Sequence, residues 1–517
     1  MRKPSMLLCA LLAFVLLVTP AVSARNVVSM SLNQDIGTID PAKTTDWTET
    51  LVIINMYDSL VTPLPDGTMG PLIAREWGFD EDTLTYTFHL NEGILFHDGT
   101  VLTADDVVFS VERVLALQQG YSWLWADILE SIVAVDDLTV QITLSEPYSP
   151  FIATLPWLAI VNKDLVLANA QDDDYGQDWL LDNSAGSGPY TFSSWERGNQ
   201  LVMERFPGYF LGWPDEGAID EVRARVIFSD STVLSEMRTQ ALTIADHYRA
   251  IETYTRLDEL PGVSVDMAQS GEILYLKMNT QKPPMDNVHV RRAISWAFDY
   301  ETFLEFIDPG GIQALGPVPQ IIDGHNPDLL QYTYDPDKAR EELALSGFAP
   351  GELTINYCYV EGFELGRRLG LMLQADLAEI GINVQLQPET WARITDLATT
   401  VETTPHITSV FSAANFPDPD NYLYTAYHSD AHGTWMSMEW YDDPEVDALI
   451  DRARRTIDRD ERNAIWYEVQ ERIVDAAPSV FVYSLPKRYA MQEYVKGFTF
   501  VPVMSFEYNF HRMYIER

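Results

Sequence analysis

The sequence predicts an α/β or α+β protein built from several units joined by short connections. Alternating stretches such as Leu84, Tyr86, Phe88 and Leu90 read as half-buried strands. Stretches with apolar residues at helical spacing, such as Val107, Val108, Val111, Val114 and Leu115, read as amphipathic helices. The chain has 517 residues, room for about two to four units at roughly 100–200 residues each. No internal repeat or low-complexity linker divides it.

Each element has its own local warrant. Asp98-Gly99 makes a turn after the strand at 84–90. Thr103 then caps a helix, with Asp106 three residues on. Gly186-Ser187-Gly188-Pro189 reads as a turn ahead of a strand beginning at Tyr190. Helices are expected over 291–300 and 366–380, the second stopped by Gly381 and followed by a strand at 382–386. Asp443 caps another helix, with Pro444 where its missing N–H costs nothing. Val446, Leu449, Ile450, Ala453 and Ile457 form the apolar face of that helix.

Charge narrows the function classes. The net charge is −43, with 77 acidic against 34 basic residues. Such a chain repels phosphate backbones and anionic lipid, so neither nucleic acid nor direct membrane insertion is expected. Lys occurs only at 3, 43, 163, 277, 282, 338, 487 and 496. An acidic, Lys-poor surface suits a salty environment, where screening relieves self-repulsion.

Residues 1–24 read as a signal peptide. Arg2 and Lys3 precede an apolar run, and Val22-Ser23-Ala24 offers a small-residue cleavage site. The mature protein would then be exported, periplasmic and soluble. Cys358 would be its sole cysteine, which excludes an intramolecular disulfide.

Motifs of chemistry are missing: there is no Gly-x-Ser-x-Gly, His-Glu-x-x-His, Walker loop or Gly-x-Gly-x-x-Gly. His428 and His432 have metal-ligand spacing, but their segment reads as loop, so ordinary surface histidines are expected and no metal. The acidic pairs Asp105-Asp106 and Asp442-Asp443 sit at helix starts, where capping explains them. Neither enzyme activity nor a cofactor is expected; a secreted hydrolase is the alternative of another class. Trp47, Trp123, Trp125, Trp391, Trp435 and Trp440 fall in polar, turn-like segments. Some of these suit a cleft that stacks on a polar ligand.

The run from Leu90 to Arg113, turning at His97-Asp98-Gly99 and continuing through Thr103-Ala104-Asp105-Asp106, is similar to one carried by the family 5 extracellular solute-binding proteins of bacterial ABC importers. Gly186-Ser-Gly-Pro-Tyr190, Asn279 with Pro283 and Pro284, Val290-Arg-Arg-Ala-Ile294 and Pro417-Asp-Pro-Asp-Asn421 extend the resemblance, in order, over the whole mature chain.

The resemblance implies a two-lobed periplasmic-binding-protein fold (type II, cluster C-like) closing by a hinge on its ligand. Lobe one would span 25–276, with an extra subdomain near 66–188. Lobe two would span 277–484, and 485–517 would return to lobe one. The implied partners are a permease and an ATPase in separate chains, and the implied state is a monomer. Asn415 stands where peptide-binding members carry an Asp for the ligand amine, and Ser412 stands where a Trp is usual. Ala398 and Ser409 stand where oligopeptide binders carry Arg. Gln240-Ala-Leu-Thr243, followed by Asp246 and His247, replaces a Gly-Glu-x-Asp turn. Trp391 matches a cleft Trp, and Tyr483 a hinge Tyr. Without a carboxylate at 415, an oligosaccharide or glycoside is favoured over a peptide or an opine-like solute. The ligand-binding candidates are Trp391, Asn415, Phe411, Trp47, Tyr483, Asp246 and His247.

Overall fold

The computed structural model describes residues 25–516 apart from positions 45, 414 and 504. The expected signal peptide, 1–24, lies outside the described residues. Local signals settle many of the elements. The alternating stretch becomes the strand Thr85–Leu90, with Tyr86, Phe88 and Leu90 buried on one face. The helix Ala104–Leu117 starts where Thr103 N–H donates to Asp106 Oδ2 at 2.9 Å in a capping box. Its apolar stripe packs on a four-stranded antiparallel sheet ordered Ala74–Asp80, Thr85–Leu90, Thr139–Leu144, Leu129–Asp136. Phe88, Val107, Val111 and Ile142 share the core of this unit.

Among the described residues the main sheet has eleven strands, one of them the short Ile312–Gln313 paired with Tyr483 and Ser484. One half holds Ile244–Ala245, Val27–Leu32, Glu221–Val226, Gln200–Arg205 and Tyr190–Glu196 in spatial order. The other holds Asn383–Glu389, Thr354–Val360 and Ile407–Ser412. Two long antiparallel strands, Val263–Met278 and Ser479–Gln492, run through both halves. Their ladder is interrupted between Gln269 and Ile273. On one side of the break, Ala490 and Met491 pair with Ile244–Ala245. On the other, Ile273–Met278 pair with Ile407–Ser412. The exchange of partners thus falls at 270–272, opposite 485. Lys277 lies farther along, buried against Glu439 at 2.8 Å.

Each half has its own core. Val28, Met30, Leu51, Met203 and Val222 share one with Tyr508 and Phe510, so the C-terminal segment packs in the first half. Asn55 fixes it there: its Nδ2 donates to Tyr508 O at 2.9 Å and its Oδ1 accepts from Phe510 N at 3.0 Å. The second core gathers Ile273, Leu276, Ile294, Leu373, Trp466 and Val480.

Boundaries differ modestly from expectation. The helix expected at 291–300 runs Val288–Ala297, because Asn287 caps it by accepting from His289 N; Asp299 then caps a separate turn at Tyr300–Thr302. The helix at 366–380 runs Glu364–Glu379, and the strand at 382–386 runs Asn383–Glu389. The helix capped by Asp443 ends at Arg455; Thr456 is extended, so Ile457 leaves the buried face and is 40% exposed.

The small unit also touches the second half of the sheet. Tyr148 OH donates to Asp420 Oδ2 at 2.9 Å, and Ser149 N–H to Arg454 O at 2.9 Å. Trp157 Nε1–H donates to the backbone oxygen of Asn415 at 2.5 Å.

Candidate functional site

Thr390 caps the helix Trp391–Leu397 by accepting from Arg393 N. That puts Trp391 at the first helical position, 42% exposed, with its ring 5.1 Å from Trp435 at 72°. The strand Ile407–Ser412 turns Phe411 toward Phe363, 6.0 Å away at 78°. These four rings line a cavity of about 380 Å³, and Gln34 and Tyr248 close it from the first half of the sheet. No acidic or basic side chain is among the lining residues.

Behind Tyr248 stands an aromatic layer. Trp47 packs 5.1 Å from both Tyr248 and His247. His247 lies parallel to Tyr508 at 5.8 Å, and its Nδ1 is 3.0 Å from Tyr508 OH. Burial drives the imidazole pKa well below its ordinary value, with Lys487 adding to the effect. His247 is therefore neutral at physiological pH.

Beyond Tyr248 lies a buried charge cluster. Tyr248 OH donates to Glu272 Oε1 at 3.1 Å. Lys487 Nζ is 3.4 Å from Glu272 Oε1 and 3.8 Å from Glu507 Oε1. Tyr489 OH donates to Glu507 Oε1 at 3.2 Å. Burial raises the Glu507 pKa, against the pull of Lys487. Burial alone would lower Lys487, but Glu272 and Glu507 carry it above its usual range.

The sequence-derived candidates separate by place. Trp391 and Phe411 line the cavity, and Trp47 and His247 stand behind Tyr248. Asp246 is fully buried, accepting from Ser31 Oγ at 2.8 Å and Arg249 Nε at 2.7 Å. Tyr483 is fully buried; its hydroxyl donates to Asp308 and its ring meets Phe303 edge-on at 4.9 Å. Asn415 is half-buried, its backbone oxygen held by Trp157. Ser409 lines the cavity, whereas Ala398 is buried among Cys358, Ile394 and Val410.

Sequence reasoning missed Tyr248, Gln34, Phe363 and Glu272. Tyr248 adjoins a named candidate; Glu272 and Gln34 carry no such signal. His428 and His432 do not converge. His428 is buried, not the surface histidine expected, with Nε2 3.6 Å from Asp451, and His432 Nε2 meets Tyr441 O at 2.8 Å. Among the described residues, no group of three or more His, Cys, Asp or Glu side chains is placed to hold a metal.

Known proteins share this plan. Residues 68–434 match the model of the bacterial extracellular solute-binding proteins, family 5. The chain is 30% identical to the probable D,D-dipeptide-binding periplasmic protein DdpA of Escherichia coli (strain K12), over 98% of each chain. It is 27% identical to the dipeptide-binding protein of the same organism, over 97% of each. The ABC transporter-associated periplasmic binding protein DppA of Helicobacter pylori, solved with the peptide STSA, superposes with a TM-score of 0.82 at 27% identity. That match covers 95% of this chain and 99% of the other. The architecture is accordingly that of the two-lobed periplasmic binding proteins. With the family model matched across most of its length and relatives alike from end to end, the chain belongs to the family 5 bacterial extracellular solute-binding proteins.

Proposed function

We propose that this protein captures short peptides as the solute-binding component of a bacterial ABC importer. The observation that carries the reading is the cavity of about 380 Å³ whose wall is shared by the two halves of the sheet. Its volume falls in the roughly 300–1,000 Å³ range of small-molecule sites. A ligand touching both Tyr248 and Trp391 stabilises the arrangement in which those walls face each other, which is how capture becomes closure. The hinge of this movement belongs at 270–272 and 485–487, where the long strands exchange partners. Lobe one is then 25 to about 270 with the C-terminal return, and lobe two the segment between. The site residues are Trp391, Phe411, Trp435, Phe363, Tyr248 and Gln34, with Trp47 and His247 supporting Tyr248.

The choice of a peptide over an oligosaccharide reverses the order drawn from sequence. Relatives that match nearly end to end are named for dipeptides, and the H. pylori protein was solved holding a peptide. An oligosaccharide is the second reading. The paired, partly exposed Trp391 and Trp435 rings, which suit a sugar face, are what favours it.

A thermal-shift panel decides between them. L- and D-alanyl di- to tetrapeptides are compared with malto- and cello-oligosaccharides. A ligand at about 100 times its Kd adds roughly 2.7 kcal/mol. A peptide hit that Trp391→Ala weakens about tenfold, at unchanged melting temperature of the free protein, is expected. Stabilisation by sugars alone sinks the peptide reading.

A further inference from the structure

We infer that a cavity lined by Asp58 and Arg512 is a second ligand site, one that takes a small zwitterion with an ammonium and a carboxylate on an apolar body. The inference stands apart from the peptide reading, because this cavity shares no lining residue with the one at Trp391. It lies between the small unit, which contributes Tyr121 and Trp157, and the first half of the sheet with its C-terminal segment, which contribute Asp58, Asn509 and Arg512. Its volume is about 180 Å³. One water needs roughly 10–15 Å³ and a drug-sized ligand about 300–1,000 Å³, so the space suits a molecule of amino-acid size.

Three polar groups on its wall lack partners. Asp58 is 3% exposed, and only the hydroxyls of Ser187 and Tyr209 donate to it among the described residues; no cation does. Arg512 is exposed, and among the described residues its side chain makes neither an ion pair nor a hydrogen bond. Both charges act on one hydroxyl: burial raises the Tyr209 pKa well above its ordinary value, Asp58 adds to the rise and Arg512 opposes it. Asn509 Oδ1 is buried with no hydrogen bond among the described residues. A buried carboxylate without a cation is costly, and a ligand ammonium that also donates to Asn509 removes that cost. Arg512 answers a carboxylate with a charge-assisted hydrogen bond. Because Asp58 is buried and Arg512 exposed, the ammonium end goes inward and the carboxylate stays at the mouth. A lone cation or a lone anion leaves one of the two side chains unanswered, which is why both charges belong to one ligand. Its apolar body meets an aromatic corner: Tyr121 packs 4.2 Å from Trp157 at 35°, and Phe506 meets Trp157 edge-on at 5.7 Å.

The test is calorimetric titration of the purified protein with L-leucine, L-proline and glycine betaine, and with two singly charged analogues, L-leucinamide and N-acetyl-L-leucine. At least one zwitterion is expected to bind with a Kd below about 1 mM, and both analogues at least tenfold more weakly than the tightest zwitterion. Asp58→Asn and Arg512→Gln should each weaken that zwitterion at least tenfold, and Trp391→Ala less than twofold. Binding by the amino acids alone means a hydrogen-bonding ammonium; binding by betaine alone means a methylated one held by the aromatic corner. Either supports the site. If none of the three zwitterions binds, the inference is overturned. It is also overturned if either analogue binds as tightly as the zwitterions, or if Trp391→Ala abolishes binding that the two charge variants leave intact. Loss in only one of the charge variants overturns the zwitterion assignment. Should Asp58→Asn fail to fold, the exposed Arg512→Gln and the analogues decide.

Discussion

Asp58 is buried with two hydroxyl donors, Ser187 Oγ at 3.0 Å and Tyr209 OH at 3.1 Å, and among the described residues no cation pairs with it. Burial pushes its carboxyl up to about 7, against the pull of those two hydrogen bonds. A group whose pKa rises on folding stabilises the fold below its unfolded pKa, near 4. That stability is lost as pH climbs through the folded value. The affected window is therefore about pH 4 to 7, and the loss is on the order of 4 kcal/mol at 1.36 kcal/mol per unit. Asp58→Asn removes the ionisation and keeps an acceptor. The variant should gain stability relative to wild type between pH 5 and pH 8 in urea titrations; an equal difference at both pH values would refute the account. The same contrast between environment and identity separates the site residues. The place of Trp391 on the cavity was readable because a Trp in a polar, turn-like stretch has few packing reasons to be there. The place of Glu272 behind Tyr248 was not, because its ion pairing comes from Lys487, more than two hundred residues away in sequence.

Helix starts show which elements were legible. Thr103 with Asp106, and Asp443 with Pro444, satisfy first-turn N–H groups using residues within three positions, so the sequence alone reveals them. Thr103→Ala removes the hydroxyl half of its capping box. It should cost about 1 kcal/mol, read as a lower urea midpoint at unchanged slope. No change in midpoint would mean that Asp106 alone holds the turn. The exchange of partners at 270–272 was not legible. The run 268–272 carries no turn or breaker pair stronger than those at 280–284, and what sets the exchange is strand pairing with Ile407–Ser412 and Ile244–Ala245. That is tertiary information. Ile457 failed for a related reason: helical spacing continues past Ala453, but the backbone at Thr456 does not.

At the scale of the whole molecule, a net charge of −43 sets the terms. Most acids lie on the surface and repel one another, a cost that screening reduces. The melting temperature should rise as NaCl goes from about 0.1 M to about 1 M, while the Debye length shrinks from ~10 Å to ~3 Å. A falling melting temperature over that range would show that exposed pairs such as Arg340–Glu379 outweigh the repulsion. No helix among the described residues is long and apolar enough to cross a membrane. The two-lobed plan was legible only through the family resemblance that the turn motifs carry; the solute was not, because the cavity is assembled from residues scattered between 34 and 435.

The ties from Tyr148 to Asp420, Ser149 to Arg454 and Trp157 to Asn415 join the small unit to the second half of the sheet without any of these residues lining the cavity at Trp391. They bear alike on whatever molecule is inside. Loosening them should change how long a guest stays and leave untouched which guest is chosen, so that residence time and selectivity vary independently.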